Sequence, residues 1–128
     1  MKKKKNIKTI PYTFLGEKYN LSIVLATYNY GGNLYVGMVD ETGEDYCNIS
    51  INIPNELYMS DTKNGKYEIS INNDTSKELI KKLTDMGILE NTDMTMFSGY
   101  SMYNVKIFNE NKAKDYIIKD YRKKEKEV

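Results

Sequence analysis

The sequence predicts an α+β protein in which an antiparallel β-meander is packed by one α-helix and followed by a C-terminal helical tail. Alternating apolar and polar residues between Gly-containing turns predict the strands, and one amphipathic stripe of helical period predicts the helix. The chain has 128 residues, 40% of them hydrophobic, which suits a single domain with one core. We expect a compact body at 9–110, a basic segment at 1–8 and a charged helical tail at 111–128.

Three strands joined by short turns make up the predicted meander. Pro54 ends the last strand and Pro11 places the first segment at an edge, because proline has no amide hydrogen for a sheet ladder. The paired Gly31 and Gly32 reach the positive φ values that a tight hairpin needs. The predicted segments, in chain order, are an edge segment at 7–15, strands at 19–28, 34–39 and 46–53, and a turn at 41–44 between the last two.

One helix is predicted at residues 76–86. Thr75 or Ser76 can cap its first turn, and Gly87 can end it in a left-handed conformation. Its apolar stripe, which would face the core, consists of Leu79, Ile80, Leu83 and Met86. Elsewhere in the second half, the pattern predicts a short strand at 67–71, a loop at 91–96 with Met94, Met96 and Phe97 turned inward, and a strand at the end of 98–108.

The charges are unevenly distributed, although the net charge is only +1. Residues 1–8 carry five lysines and no acid, residues 9–111 carry seven basic and 14 acidic residues, and residues 112–128 carry seven basic and four acidic residues. This acidic body favours a partner protein with a basic surface. The basic ends are either solvated termini or a tether for nucleic acid or an acidic protein. The residues that could contact nucleic acid are Lys2, Lys3, Lys4, Lys5, Arg122, Lys123 and Lys124.

The residue inventory argues against catalysis. The chain has no His, the commonest general base, and Cys47 is its single cysteine. Cys47 is in phase with Ile49 and Ile51, which indicates a buried and inert thiol. We therefore expect no catalytic residues, no metal site and no cofactor. The absence of a disulfide pair and of an apolar run of about 20 residues predicts a cytoplasmic protein that does not enter a membrane.

The predicted binding residues are acids and tyrosines near turns. Nothing in the sequence buries the acids of the second turn in a way that would separate their pKa values for acid–base catalysis. Such solvated acids suit contact with a basic partner instead. The 12 tyrosines are either half-buried strand residues or a contact surface, and the residues around Gly99 are either a bend or a recognition segment. The candidate binding residues are Tyr28, Tyr30, Asp40, Glu41, Glu44, Asp45, Tyr100 and Tyr103.

Several short motifs together resemble a known family. They are Tyr-Gly-Gly-Asn at 30–33, Gly43-Glu44, Ile53-Pro54, Asp61-Thr62 with Asn64-Gly65, and Ser98-Gly99-Tyr100 before Tyr103 and Phe108. Between residues 18 and 108 the chain resembles the domain-of-unknown-function family numbered four-three-one-three, found on conjugative elements, plasmids and phages of Firmicutes and related bacteria. The long basic ends depart from that pattern. The family has no assigned active site, so the resemblance implies a context only.

Two functions follow from these observations. The first is a non-catalytic accessory protein of a mobile genetic element that binds another protein, for example as an inhibitor of a host defence system such as CRISPR–Cas. The alternative is a nucleic-acid-binding accessory protein that uses its basic termini in element replication or transfer.

Overall fold

The structure, a computed structural model, describes residues 7–29, 32–53 and 60–122. It consists mainly of antiparallel strands in two sheets, with few helices, so the α+β class is confirmed in this coarser, mainly β form. The strands are β1 (Ile10–Phe14), β2 (Glu17–Thr27), β3 (Leu34–Val39), β4 (Asp45–Asn48), β5 (Ser50–Ile51), β6 (Ser60–Asp61), β7 (Lys66–Ile71), β8 (Leu89–Ser98), β9 (Ser101–Asn109) and β10 (Ile117–Asp120). The helices are α1 (Lys77–Asp85) and α2 (Glu110–Ala113), with single 3₁₀ turns at Thr62–Asn64 and Lys114–Tyr116.

The first sheet has the strand order β1-β2-β3-β4, and β10 pairs with β2 in parallel. It contains the predicted meander in part. The segment predicted as one strand at 46–53 divides between the two sheets, because β4 pairs with β3 whereas β5 pairs with β7. At the crossing, the amide of Ile49 donates to the carbonyl of Val36, and the amide of Val36 donates to Ser50 Oγ. These bonds hold the two sheets together at this corner.

The second sheet has the order β5-β7-β9-β8, with β6 also on β7. The predicted loop at 91–96 is wrong, because these residues belong to edge strand β8. The pairing with β9 breaks between Asn91 and Thr95, where Thr92 Oγ1 donates to the carbonyl of Val105 and accepts from the amide of Met94. Both faces of this edge strand are largely exposed, so it does not need alternating apolar residues. Its polar sequence therefore looks like that of a loop.

Helix α1 confirms the helix predicted at 76–86. Ser76 is its N-cap, since Ser76 Oγ accepts hydrogen bonds from the amides of Glu78 and Leu79. Gly87 follows the helix at a φ of 82°, the left-handed conformation that only glycine adopts without strain. Leu79 and Leu83 are buried in a hydrophobic cluster to which both sheets contribute. The helix therefore closes the core between the two sheets.

The predicted helical tail at 111–128 is wrong for the part that the structure describes. Only a single α-helical turn and a 3₁₀ turn precede β10, in which Ile117 pairs with Ile23. β1 pairs with only the first part of β2, and β10 supplies ladder partners along the part of that edge that β1 does not reach. Two consecutive isoleucines suit a strand better than a helix. Residues 123–128 lie outside the described residues.

The turn between β1 and β2 carries a strained residue. Leu15 and Gly16 both have positive φ, 51° and 82°, between the paired residues Phe14 and Glu17. Two positive φ values define a type I′ turn, which favours Asn at its first central position. The Leu15 side chain is 87% exposed, so packing does not offset the strain.

Leu15→Asn should therefore raise the free energy of unfolding by about 1 kcal/mol in a urea titration. Leu15→Ala is the matched control, because it removes the exposed apolar surface but keeps a residue that disfavours positive φ. Equal stability of the Asn and Ala variants would contradict this explanation.

Candidate functional site

The structure places the sequence-predicted binding residues in three separate regions. Tyr28 follows β2 at the hairpin end of β3, whereas the four acids of the 40–45 turn lie at the other end of β3, roughly 20 Å away along the strand. Tyr100 and Tyr103 belong to the β8–β9 hairpin of the second sheet. Tyr30 lies outside the described residues. The predicted residues therefore do not form one site.

Tyr28 is a packing residue. Its hydroxyl shares a hydrogen bond of 2.9 Å with Ser50 Oγ, and its ring meets the ring of Tyr35 edge-on with centroids 5.6 Å apart. The Tyr35 hydroxyl in turn donates to Asn48 Oδ1 at 2.7 Å. These contacts join the hairpin end of the first sheet to the crossing between β4 and β5, which favours a structural role over a binding one.

Two of the four acids at the 40–45 turn accept hydrogen bonds from main-chain amides. Asp40 Oδ1 accepts from the hydroxyl and the amide of Thr42 and from the amide of Glu44, and the bond from the Thr42 hydroxyl is the main cause that lowers the pKa of Asp40. Glu41 Oε1 accepts from the amide of Asn20 at 3.0 Å. Within the described part of the chain, the exposed side chains of Glu44 and Asp45 have no such partner.

The β8–β9 hairpin extends beyond the rest of the second sheet. The last pair between β7 and β9 is Ser70 with Val105, but β8 and β9 continue to pair up to Ser98 and Ser101. We call residues 95–104 the projecting hairpin. Its turn is formed by Gly99, with a φ of 62°, and by Tyr100. Among the residues that the structure describes, no other strand pairs with this part of β9 on its β7 side.

Large apolar side chains are exposed on the projecting hairpin. Phe97 and Met102 form a cross-strand pair and are 63% and 52% exposed, and Tyr100 at the tip is fully exposed. The expectation that Met94 and Phe97 turn inward is therefore wrong, since Met94 is also exposed. Met96 lies on the opposite face, half-buried, where its sulfur accepts a weak hydrogen bond from Ser70 Oγ at 3.8 Å.

Sequence reasoning found Tyr100 and Tyr103 but missed Phe97 and Met102. Tyr103 is half-buried opposite Met96, on the other face of the hairpin from Phe97 and Met102. A signal was present in the sequence: apolar residues at both ends of a Ser-Gly-Tyr-Ser turn are typical of a hairpin whose strands pair across that turn. Clustered exposed apolar side chains on one projection are unusual for a surface without a partner.

Arg122, a predicted nucleic-acid contact, has partners within the chain. Its guanidinium pairs with Asp120 at 2.7 Å and Glu110 at 2.9 Å and lies over the ring of Tyr67. The hydrogen bonds to Asp120, and then the bond to Glu110, raise the pKa of Arg122 further above its usual value. The other predicted contacts, Lys2, Lys3, Lys4, Lys5, Lys123 and Lys124, lie outside the described residues.

Cys47 and the acidic side chains are the other groups to consider as a nucleophile or as metal ligands. Cys47 is half-buried, and burial raises the pKa of its thiol to about 11, so the thiol is protonated and a weak nucleophile at neutral pH. In the ranges that the structure describes, no three His, Cys, Asp or Glu side chains are grouped so that they could hold a metal ion. The same ranges contain no helix with the length and apolarity that a membrane span requires.

Comparisons of the chain with models of protein families, with curated proteins and with solved structures found no match. The resemblance to the mobile-element family stays a prediction.

Proposed function

We propose that this chain is a non-catalytic accessory protein of a mobile genetic element that binds another protein through the projecting hairpin. The exposure of Phe97, Tyr100 and Met102 on one projection carries the proposal. Aromatic and Met side chains are enriched in protein interfaces, where a few of them contribute most of the binding free energy. A narrow two-stranded hairpin can also enter a cleft that a flat sheet face cannot reach.

The partner that fits best is a host or element-encoded protein with a basic surface. The body between residues 9 and 111 carries twice as many acidic as basic residues, and the free carboxylates of Glu44 and Asp45 add to its negative field. Such a field speeds encounter with a basic surface and should make binding weaker as salt rises. Nucleases of host defence systems such as CRISPR–Cas have basic surfaces of this kind, and inhibition of one of them is the specific role that we propose.

The test is affinity capture from a host lysate, with and without nuclease, compared between variants by quantitative mass spectrometry. The hairpin variant carries Phe97→Ser, Tyr100→Ser and Met102→Ser. Its matched control removes the same number of exposed apolar side chains elsewhere, by Leu15→Ser, Ile118→Ser and Tyr121→Ser. We expect the hairpin variant to lose a nuclease-resistant protein partner by at least about tenfold, while the control retains it.

Equal recovery of the partner by both variants would contradict a role for the hairpin. Recovery of nucleic acid alone, lost on removal of the basic ends, would favour the alternative function of a nucleic-acid-binding protein. Circular dichroism establishes that the hairpin variant and its control are folded. A captured protein whose recovery does not fall with salt would argue against the basic partner.

A further inference from the structure

A groove of about 590 Å³ lies between helix α1 and strands β8 and β9 of the second sheet. The volume is in the range of small-molecule sites. The groove lies against the core-facing side of the sheet, since Lys106 pairs with the buried Ile69 on the same face of β7 and β9. Ile71 and Ile80 supply its apolar lining. The rest of the lining consists of amide, hydroxyl, ammonium and carboxylate side chains from α1, the segment before it, β8 and β9.

Lys106 is a half-buried cation in this groove. Its ammonium donates to Oδ1 of Asn91, but among the described residues no carboxylate pairs with it. Burial lowers the pKa of Lys106, because the charged form loses water without gaining a counter-charge. An anion that binds next to such a desolvated cation therefore stabilises its charged form.

A second positive charge is also uncompensated. Lys77 lines the groove from the first turn of α1 and has no ion pair within the described part of the chain. Lys81, by contrast, is paired with Asp85 at 3.0 Å, so that pair adds little net charge. The groove is therefore locally positive in a body that is acidic as a whole.

Two amides add donors on the sheet side. Asn91 uses its Oδ1 for Lys106, which leaves its Nδ2 group to donate. Asn104 is exposed and pairs with Thr95 across the strands, and in the described residues its side chain has no hydrogen-bond partner. Ammonium and amide donors without matching acceptors suit a group that only accepts, such as a phosphate or an ionised carboxylate.

We propose that this groove binds a small molecule that carries an oxyanion, with Lys106 and Lys77 pairing with the anion and Asn91 and Asn104 donating to it. This site shares Asn104 with the projecting hairpin but includes none of Phe97, Tyr100 and Met102, and it does not depend on the protein-binding function. Ile71 and Ile80 would contact the less polar part of the ligand. The ligand class is a phosphate-bearing or carboxylate-bearing small molecule.

The test is a titration of the isotope-labelled full chain, followed by NMR, with sodium phosphate and separately with sodium citrate. Sodium chloride at equal ionic strength is the reference. We expect saturable shifts of the side-chain amide signals of Asn91 and Asn104, and a rise in the pKa of Lys106 as the anion supplies its counter-charge. Preference for phosphate would indicate a phosphorylated ligand, and preference for citrate a carboxylate one; either result supports the site.

Variants separate the site from general charge attraction. Lys106→Gln should weaken binding by about tenfold or more, whereas Lys82→Gln, on the same helix as Lys77 but outside the groove, should leave it unchanged. Asn104→Asp adds a negative charge at an exposed position where folding is not at risk, and it should abolish binding. Shifts that do not saturate, that chloride reproduces, or that Lys106→Gln and Lys82→Gln weaken equally would overturn the proposal.

Discussion

Arg122→Met should lower the free energy of unfolding by about 3 kcal/mol, because it removes the cation that two partly buried carboxylates share. The Arg122 side chain is only 19% exposed, and those of Glu110 and Asp120 are 29% and 21% exposed. Its Nε and Nη2 atoms donate to both oxygens of Asp120, a bidentate geometry, while Nη2 also meets Glu110 at 2.9 Å. Without the guanidinium, the negative charges of Glu110 and Asp120 would repel each other.

Urea denaturation measures this loss, and the structure offers a close control. Lys119→Met removes one positive charge three residues before Arg122, but Lys119 is exposed and approaches the ring of Tyr121 at 6.0 Å, so its loss should cost less than about 0.5 kcal/mol. Arg122→Lys should fall between the two, since it keeps the charge and loses the bidentate geometry. A cost for Arg122→Met no larger than that for Lys119→Met would show that the ion pairs contribute little.

The role of Arg122 also explains why the end of the chain was predicted wrongly. Its sequence is rich in charged residues, which is typical of an exposed helix, and periodicity alone does not reveal a partner strand distant in sequence. The strand β10 exists because β2 is longer than β1 and leaves part of its edge unpaired. Arg122 then fixes the end of β10 to α2 through Glu110. Tertiary contacts of this kind decide the structure of short segments more than local propensity does.

Local signals predicted the elements that depend on local chemistry. Helix α1 has its cap at Ser76 and its end at Gly87, both readable from neighbouring residues. The edge strand β8 and the exposed face of its hairpin were missed because Phe97 is apolar, and an apolar residue is normally expected inside. Its exposure depends on where β7 ends relative to β9, which is a property of the sheet register rather than of the segment itself.

Asn109→Ala should lower the free energy of unfolding by about 2 kcal/mol at neutral pH, and this cost should shrink as the solution becomes acidic. Asn109 is 7% exposed, and its side chain makes two bonds. Its Oδ1 atom accepts from the amide of Lys112 at 3.2 Å, which caps α2, and its Nδ2 group donates to the carboxylate of Glu90 at 2.9 Å. The second bond depends on pH because Glu90 titrates.

The direction of this pH dependence follows from the pKa of Glu90. The bond from Asn109 is the largest cause that lowers the pKa of Glu90 below its ordinary value of 4.5, followed by the bond and the charge of Lys66. A lowered folded-state pKa means that the stabilisation is complete above the ordinary value and is lost as pH falls through the folded-state value. In the variant the pKa of Glu90 rises toward its ordinary value, so the variant loses less stability in acid. The difference in free energy of unfolding between the wild-type protein and Asn109→Ala should therefore become smaller as the pH falls from about 6 to about 3.

Asn111→Ala is the matched control for this pH dependence. Asn111 also donates through Nδ2, at 3.1 Å, but its acceptor is the main-chain carbonyl of Asn64, which does not titrate. Its cost should be below about 1 kcal/mol and constant over the same pH range, because the side chain is exposed and the bond is neutral. If the cost of Asn109→Ala were equally constant, its bond to the ionised Glu90 would contribute nothing, and the cap on α2 alone would explain the loss.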